Sequence, residues 1–148
     1  MIPLATFEVI GVPAPQGSKT RMPNGAMLEA GSKTGRLNHR AWRDSVTWAA
    51  RRVRLGPPIT GPVAVQIRFR MPLPSARPAA VRRAGQGWHA VKPDLDKLVR
   101  TVLDALTAGG VIADDARVCW LKADAVEVAG WTGAVITIGT PPPLDGAA

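Results

Sequence analysis

Residues 92–118 read KPDLDKLVRTVLDALTAGGVIADDARV, and the rest of the chain is organised around this stretch. Leu95, Leu98, Val102 and Leu106 recur at helical spacing, and Val99, Leu103 and Ala105 widen the stripe, so a helix with one broad apolar face is predicted. Pro93 cannot lie inside that helix, which therefore starts near Asp94, and Gly109-Gly110 predicts its C-terminal stop. A short apolar run, Val111-Ile112-Ala113, then passes through Asp114-Asp115 into a strand signal that begins at Val118.

Upstream, Val63, Val65, Ile67, Phe69 and Met71 alternate with Ala64, Gln66, Arg68 and Arg70, the clearest strand in the sequence, ended by Pro72 and Pro74. Its second face carries two arginines and is expected to be open to solvent or DNA. Phe7 to Gly11 predicts a short first strand stopped by Pro13 and Pro15. Residues 38–54 predict another helix, with Trp42, Val46, Ala49 and Val53 inward and Arg40, Arg43, Arg51 and Arg54 off that stripe, stopped by Gly56-Pro57-Pro58. The segment PAPQGSKTRMPNGAMLEAGSKTGR reads as an exposed loop or loose hairpin, and residues 75–93 as a basic, irregular connection. Residues 118–128 and 134–138 close the order β-α-β-α-β-β, and 139–148 read as a fraying tail. The expected fold is α/β in the α+β sense: a small mixed sheet with two main helices packed on it, in a single domain over 1–148 without internal repeats.

The formal net charge is +8, and 14 Arg stand against 5 Lys. Such a balance suits nucleic acid or an anionic membrane surface. No apolar run is long enough to span a bilayer, and MIPLATFEVIGVPAP lacks the basic start and long apolar core of a secretory signal, so a cytoplasmic protein is expected. The single cysteine, Cys119, excludes an internal disulfide or a cysteine metal cage and is read as a core residue.

Against this basic background, Asp94, Asp96, Asp104, Asp114 and Asp115 gather five of the chain's 11 acidic residues into one stretch. Two like charges at 4 Å cost about 4 kcal/mol at an effective dielectric near 20, so converging carboxylates call for a cation or a shared proton. At the start of a helix the backbone is still turning, so Asp94 and Asp96 can point to one place; the segment carrying Asp114 and Asp115 can return beside the start of the helix or of the sheet. Carboxylate oxygens with waters suit Mg²⁺. Each acid also has a structural reading: Asp94 as an N-cap, Asp96–Arg100–Asp104 as a solvated ladder at spacing four, Asp114-Asp115 as a turn.

PDLDKLVRTVLDALTAGGVIADDARV closely resembles the core signature of the RusA family of endodeoxyribonucleases, dimeric Holliday junction resolvases of bacteria and their phages. PAPQGSKTR resembles that family's basic loop after the first strand, and FRMPLP followed by HAVKPDLD is similar to many phage-borne members. The resemblance implies that Asp94, Asp96 and Asp115 hold a catalytic Mg²⁺ (Mn²⁺ as the other candidate), with Asp114 in a lesser, orienting role. The family's essential lysine, four residues after its second aspartate, is Arg100 here, and Lys97 stands where the family commonly has Asn. Arg100 and Lys97 are therefore the two candidates for the catalytic cation.

These readings together predict Mg²⁺-dependent hydrolysis of DNA phosphodiesters by paired nicks in four-way or branched DNA, performed by a homodimer whose two-fold axis matches that of the junction. Lys19, Arg21, Lys33, Arg36, Arg82, Arg83 and Lys92 are the expected phosphate contacts. Trp88 is the tryptophan expected near DNA, and His89 is read as an incidental surface residue. Two other classes fit the same residues: a non-catalytic nucleic-acid-binding module, and a metal nuclease acting on flaps, forks or duplex.

Overall fold

The computed structural model describes residues 1–17, 19–29, 32–53 and 56–145, and the backbone alone for residues 19, 20 and 27–29. In chain order its elements are β1 (Ile2–Ile10), β2 (Lys19–Arg21), β3 (Met27–Glu29), α1 (Lys33–Val53), β4 (Val63–Pro72), α2 (Ala79–Ala84), β5 (Gln86–Trp88), α3 (Leu95–Ala108), a 3₁₀ turn (Asp115–Arg117), β6 (Val118–Val128) and β7 (Gly133–Thr140). Five strands form one mixed sheet in the order β1-β7-β4-β6-β5, and β2 and β3 form a separate hairpin. The α+β class expected from the sequence is the one observed.

Parallel strands need crossover connections, and this sheet has two. β4 and β6 are parallel neighbours joined through α3. β1 and β4 both lie antiparallel to β7, which sits between them, so they run the same way and are joined through α1. Both connections step across the sheet in one direction. Their common right-handedness places α1 and α3 on the same face.

That face holds the core: Phe7, Val9, Val65, Ile67, Phe69, Met71, Ile136 and Ile138 from the strands, Trp42, Val46 and Ala50 from α1, and Leu98, Val102 and Leu106 from α3. Burying each large aliphatic side chain contributes about 1.5–3 kcal/mol. α3 ends as the Gly-Gly pair predicts. The Gly110 N–H donates to the Thr107 carbonyl at 3.0 Å and the Val111 N–H to Leu106 at 3.1 Å, a Schellman closure with Gly110 at a φ of 73°.

Several boundaries differ from the sequence reading. β1 starts at Ile2 rather than Phe7, because its pairing with β7 extends to Thr140; for the same reason residues 139 and 140 belong to a strand and not to the tail. α1 starts at Lys33 rather than Asn38: the Ser32 hydroxyl accepts from the Gly35 N–H at 3.0 Å and caps it, and the first turns are exposed and carry no apolar stripe. Arg54 lies outside the described residues. Residues 75–93 are not wholly irregular: Gly85, in the left-handed region at a φ of 70°, ends α2, and β5 then pairs with the far edge of β6. Leu95 is 38% exposed and lies off the buried stripe of α3. Cys119 is exposed, not core, with its thiol 3.6 Å from the Val63 carbonyl.

The arginines on the open face of the sheet are committed. Arg68 makes two hydrogen bonds to Asp124, at 2.8 and 2.7 Å, and Arg70 donates to the Trp131 carbonyl at 2.9 Å with its guanidinium 4.2 Å from the ring centroid.

Candidate active site

Asp94 is the N-cap residue of α3, with extended backbone, but its side chain accepts no capping hydrogen bond. The carboxylate is half exposed, with Lys97 Nζ 3.7 Å away. Asp96 follows in the first turn and is exposed. Among the described residues, neither Asp96 nor Arg100 takes part in an ion pair, so the ladder through Asp104 is not formed. The structure thus brings Lys97, and not Arg100, to Asp94. Lys97 is half buried and Arg100 exposed.

Asp94, Lys97 and Lys92 line a cavity of about 750 Å³ with Pro13, Trp42 and Met71. Its walls come from the connection after β1, the first half of α1, the end of β4 and the start of α3. Its lining is mainly apolar, with Arg36, Lys92, Asp94 and Lys97 as the ionic groups, a composition common in ligand sites. The basic residues expected to meet phosphate lie in the connections that follow β1 and β4. Arg21 sits in the β2–β3 hairpin, Lys33 and Arg36 in the first turn of α1, Arg82 and Arg83 in α2, and Lys92 before α3; all are exposed, and Arg36 also lines the cavity. The Lys19 side chain lies outside the described residues. Trp88 is 71% exposed at the edge strand β5.

Asp114 and Asp115 are elsewhere. Asp114 caps the 3₁₀ turn, its carboxylate accepting from the Ala116 N–H at 2.8 Å. That bond, together with the hydrogen bond from Asp115 and the nearby Arg117, holds the Asp114 carboxyl below the usual carboxylate range. Asp115 is exposed just before β6. The chain reaches this point beyond the far end of α3, where Ile112 bridges to Ile59 ahead of β4. α3 has 14 residues and spans about 21 Å at 1.5 Å per residue, so the two acid groups lie at opposite ends of the helix and of the sheet. The returning segment lies beside the start of the sheet and not beside the start of the helix. Among the described residues, no three of His, Cys, Asp and Glu come together as a metal-ligand group.

Behind the first acids lies a group that sequence reading missed. Glu127, on β6, is 1% exposed and faces the helices. Arg77 donates to its two oxygens at 2.6 and 2.5 Å, and this pairing holds the Glu127 carboxyl below its ordinary range. His89 is not a surface residue: its side chain is 7% exposed, with Nδ1 3.3 Å from Glu127 Oε1 and Nε2 3.3 Å from the Pro93 carbonyl. Glu127 sits in a strand that reads as apolar-alternating, and nothing in its spacing distinguished it from a solvated acid.

Asp94 and Asp96 thus stand at the entry of α3 without a capping role, with Lys97 beside Asp94 and Lys92 in the same cavity wall. The family model described as Endodeoxyribonuclease RusA matches residues 18–139, most of the chain. The protein belongs to the RusA family of endodeoxyribonucleases, a family of crossover-junction nucleases, and is an enzyme of that class. The comparison with curated proteins gives no match. No helix among the described residues is long and apolar enough to cross a membrane.

Proposed function

We propose that the protein is a Mg²⁺-dependent resolvase of Holliday junctions, serving DNA recombination and repair in the cytoplasm and acting as a C2 homodimer that places two symmetric nicks. The observation that carries this reading is the pair Asp94 and Asp96 at the entry of α3, exposed and free of a capping role, with Lys97 beside Asp94, within a chain of the RusA family.

Two carboxylates on one helical turn, half exposed and exposed, fit a hard divalent ion that keeps several waters. Bound there, the ion supplies positive charge to the scissile phosphate and a more acidic water. Asp94 and Asp96 hold and orient it. Lys97, 3.7 Å from Asp94, is placed to meet charge building on the phosphate, and Arg100, one turn on, is the second cation on the exposed side. Arg21, Lys33, Arg36, Arg82, Arg83 and Lys92 hold the arms of the junction through phosphates.

Asp115 fits this site in one arrangement. Since α3 separates it from Asp94 and Asp96 within a chain, it completes their ligand set from a second copy of the protein. A C2 dimer then contains two shared sites, each with Asp94 and Asp96 from one protomer and Asp115 from its partner. Dimerisation becomes a condition for catalysis, which suits an enzyme whose product requires two nicks.

The direct test is cleavage of an end-labelled synthetic four-way junction with Mg²⁺ or Mn²⁺, comparing wild type with Asp96→Asn, alongside junction binding in EDTA. Paired nicks by wild type alone, with binding retained by both, are expected. Binding without nicks by wild type in either metal would leave a binding module. Equal cleavage of linear duplex in competition would replace junction specificity with a general nuclease.

A further inference from the structure

We propose that His89 is a positioning residue for the acid pair: its imidazole ties the Pro93 carbonyl, in the peptide that leads into Asp94, to the Glu127–Arg77 pair of the sheet. The inference rests on the assignment of Asp94 and Asp96 as metal ligands above.

Both atoms facing the ring are acceptors. Nδ1 meets a carboxylate oxygen of Glu127 and Nε2 meets the Pro93 carbonyl, each at 3.3 Å. Each ring nitrogen thus faces one oxygen, one on the sheet and one on the peptide before Asp94, so the ring bridges the two elements. Arg77 holds the Glu127 carboxyl below its ordinary range, so the partner of the ring on the sheet is a carboxylate acceptor fixed by a second side chain. The chain Arg77–Glu127–His89–Pro93 thus connects the loop after β4, strand β6, the residue after β5 and the start of α3. It ends at the one peptide that sets where Asp94 leaves the loop.

A carboxylate buried to 1% exposure is a costly way to hold elements together, because apolar side chains of similar volume do so without desolvating charge. The network instead fixes a polar backbone group at a defined place. Its terminus, Pro93 O, precedes Asp94, whose own carbonyl accepts the Leu98 N–H at 3.2 Å as one of the first bonds of α3. Holding that peptide fixes both the direction of Asp94 and the first helical turn that carries Asp96. Groups behind metal ligands that orient them typically contribute 10–100-fold to metal affinity or activity when removed.

The experiment measures Mn²⁺ binding to the full chain by electron paramagnetic resonance of the free ion, without DNA, and junction binding in EDTA. The variants are His89→Leu, His89→Gln, Asp96→Asn and Val102→Ala, the last a core change in mid-α3 that lowers stability without touching the network. His89→Leu is expected to raise the half-saturating Mn²⁺ at least 10-fold while junction binding in EDTA stays within 2-fold, these bounds following the range for orienting groups. His89→Gln, whose amide can still donate to the Pro93 carbonyl, is expected to recover part of the loss. Val102→Ala is expected to melt earlier yet bind Mn²⁺ as wild type does. If His89→Leu binds Mn²⁺ like wild type while Asp96→Asn does not, the positioning role is wrong and the acid site stands. If Val102→Ala loses Mn²⁺ affinity as His89→Leu does, the effect is general destabilisation and the role is again wrong. Unchanged Mn²⁺ binding by Asp96→Asn removes the acid site itself, and the role of His89 with it.

Discussion

Leu95 and Leu98 lie one turn apart at the start of α3, and truncating each to alanine should have very different consequences. Leu98 is fully buried against the core formed with α1 and the sheet. Removing its isobutyl end forfeits its transfer free energy and leaves a cavity that the surrounding close-packed side chains fill only in part. Leu→Ala changes at such sites cost about 2.7–5 kcal/mol. A loss of about 3 kcal/mol is expected for this fully buried side chain. At roughly 2–4 °C per kcal/mol for a chain of this size, the melting temperature should fall by about 6–12 °C. Leu95 is 38% exposed, so its truncation leaves no enclosed cavity and should cost about 1 kcal/mol or less. Urea and thermal melts in EDTA, at one fixed protein concentration because the proposed dimer's stability would depend on it, measure both. Equal losses for the two variants, or a larger loss at Leu95, would refute the packing assigned to α3.

Other consequences follow from the charges. Glu127 and Asp114 have carboxyls held below their ordinary range, so the stability they contribute is complete above the unfolded carboxylate pKa and is lost as pH falls through the lower folded value. The urea midpoint of Glu127→Gln should therefore lie below that of wild type at pH 7 and converge on it in acid; a gap that widens below pH 4 would contradict the sign. Lys97→Met should slow single-turnover cleavage by about 100-fold, the scale of losing one donor to developing charge, and Arg100→Met by less. Wild-type rates in both variants would remove these two residues from the chemistry. Replacing Arg82 and Arg83 together by alanine should lower the slope of log affinity against log salt by about 2, because two phosphate contacts are lost. An unchanged slope would place α2 away from DNA.

How much of this was legible depends on whether a residue's role is local. The stripe Leu98–Val102–Leu106 and the Gly109-Gly110 stop are local in sequence, and they appear in the structure where periodicity puts them. The alternation in β4 was equally readable, because one face is covered by helices and the other is not. The start of α1 was not, since residues 33–38 are all exposed and the first turn depends on Ser32 as a cap. β5 escaped notice because three residues at a sheet edge carry no pattern of their own. Asp94 and Asp96 could be singled out from their spacing after a proline. Which end of the fold Asp115 returns to could not, since that is decided by the bridge of Ile112 to Ile59, a contact 53 residues apart in sequence. The contacts among Arg77, Glu127 and His89 span 50 and 38 residues of sequence, and no local signal could have joined them.

The central claim, that each active site is shared between two protomers, is tested most directly by mixing two inactive variants. Asp96→Asn and Asp115→Asn homodimers should each fail to nick a four-way junction. Co-refolded in equal amounts, about half of the dimers are mixed, and in each of these one site has both substitutions while the other has none. Single-nicking activity should then return to about a quarter of the wild-type rate, without a matching return of paired nicks. If each site instead lay within one chain, every site in the mixture would carry a substitution, and the mixture would stay as inactive as its parents.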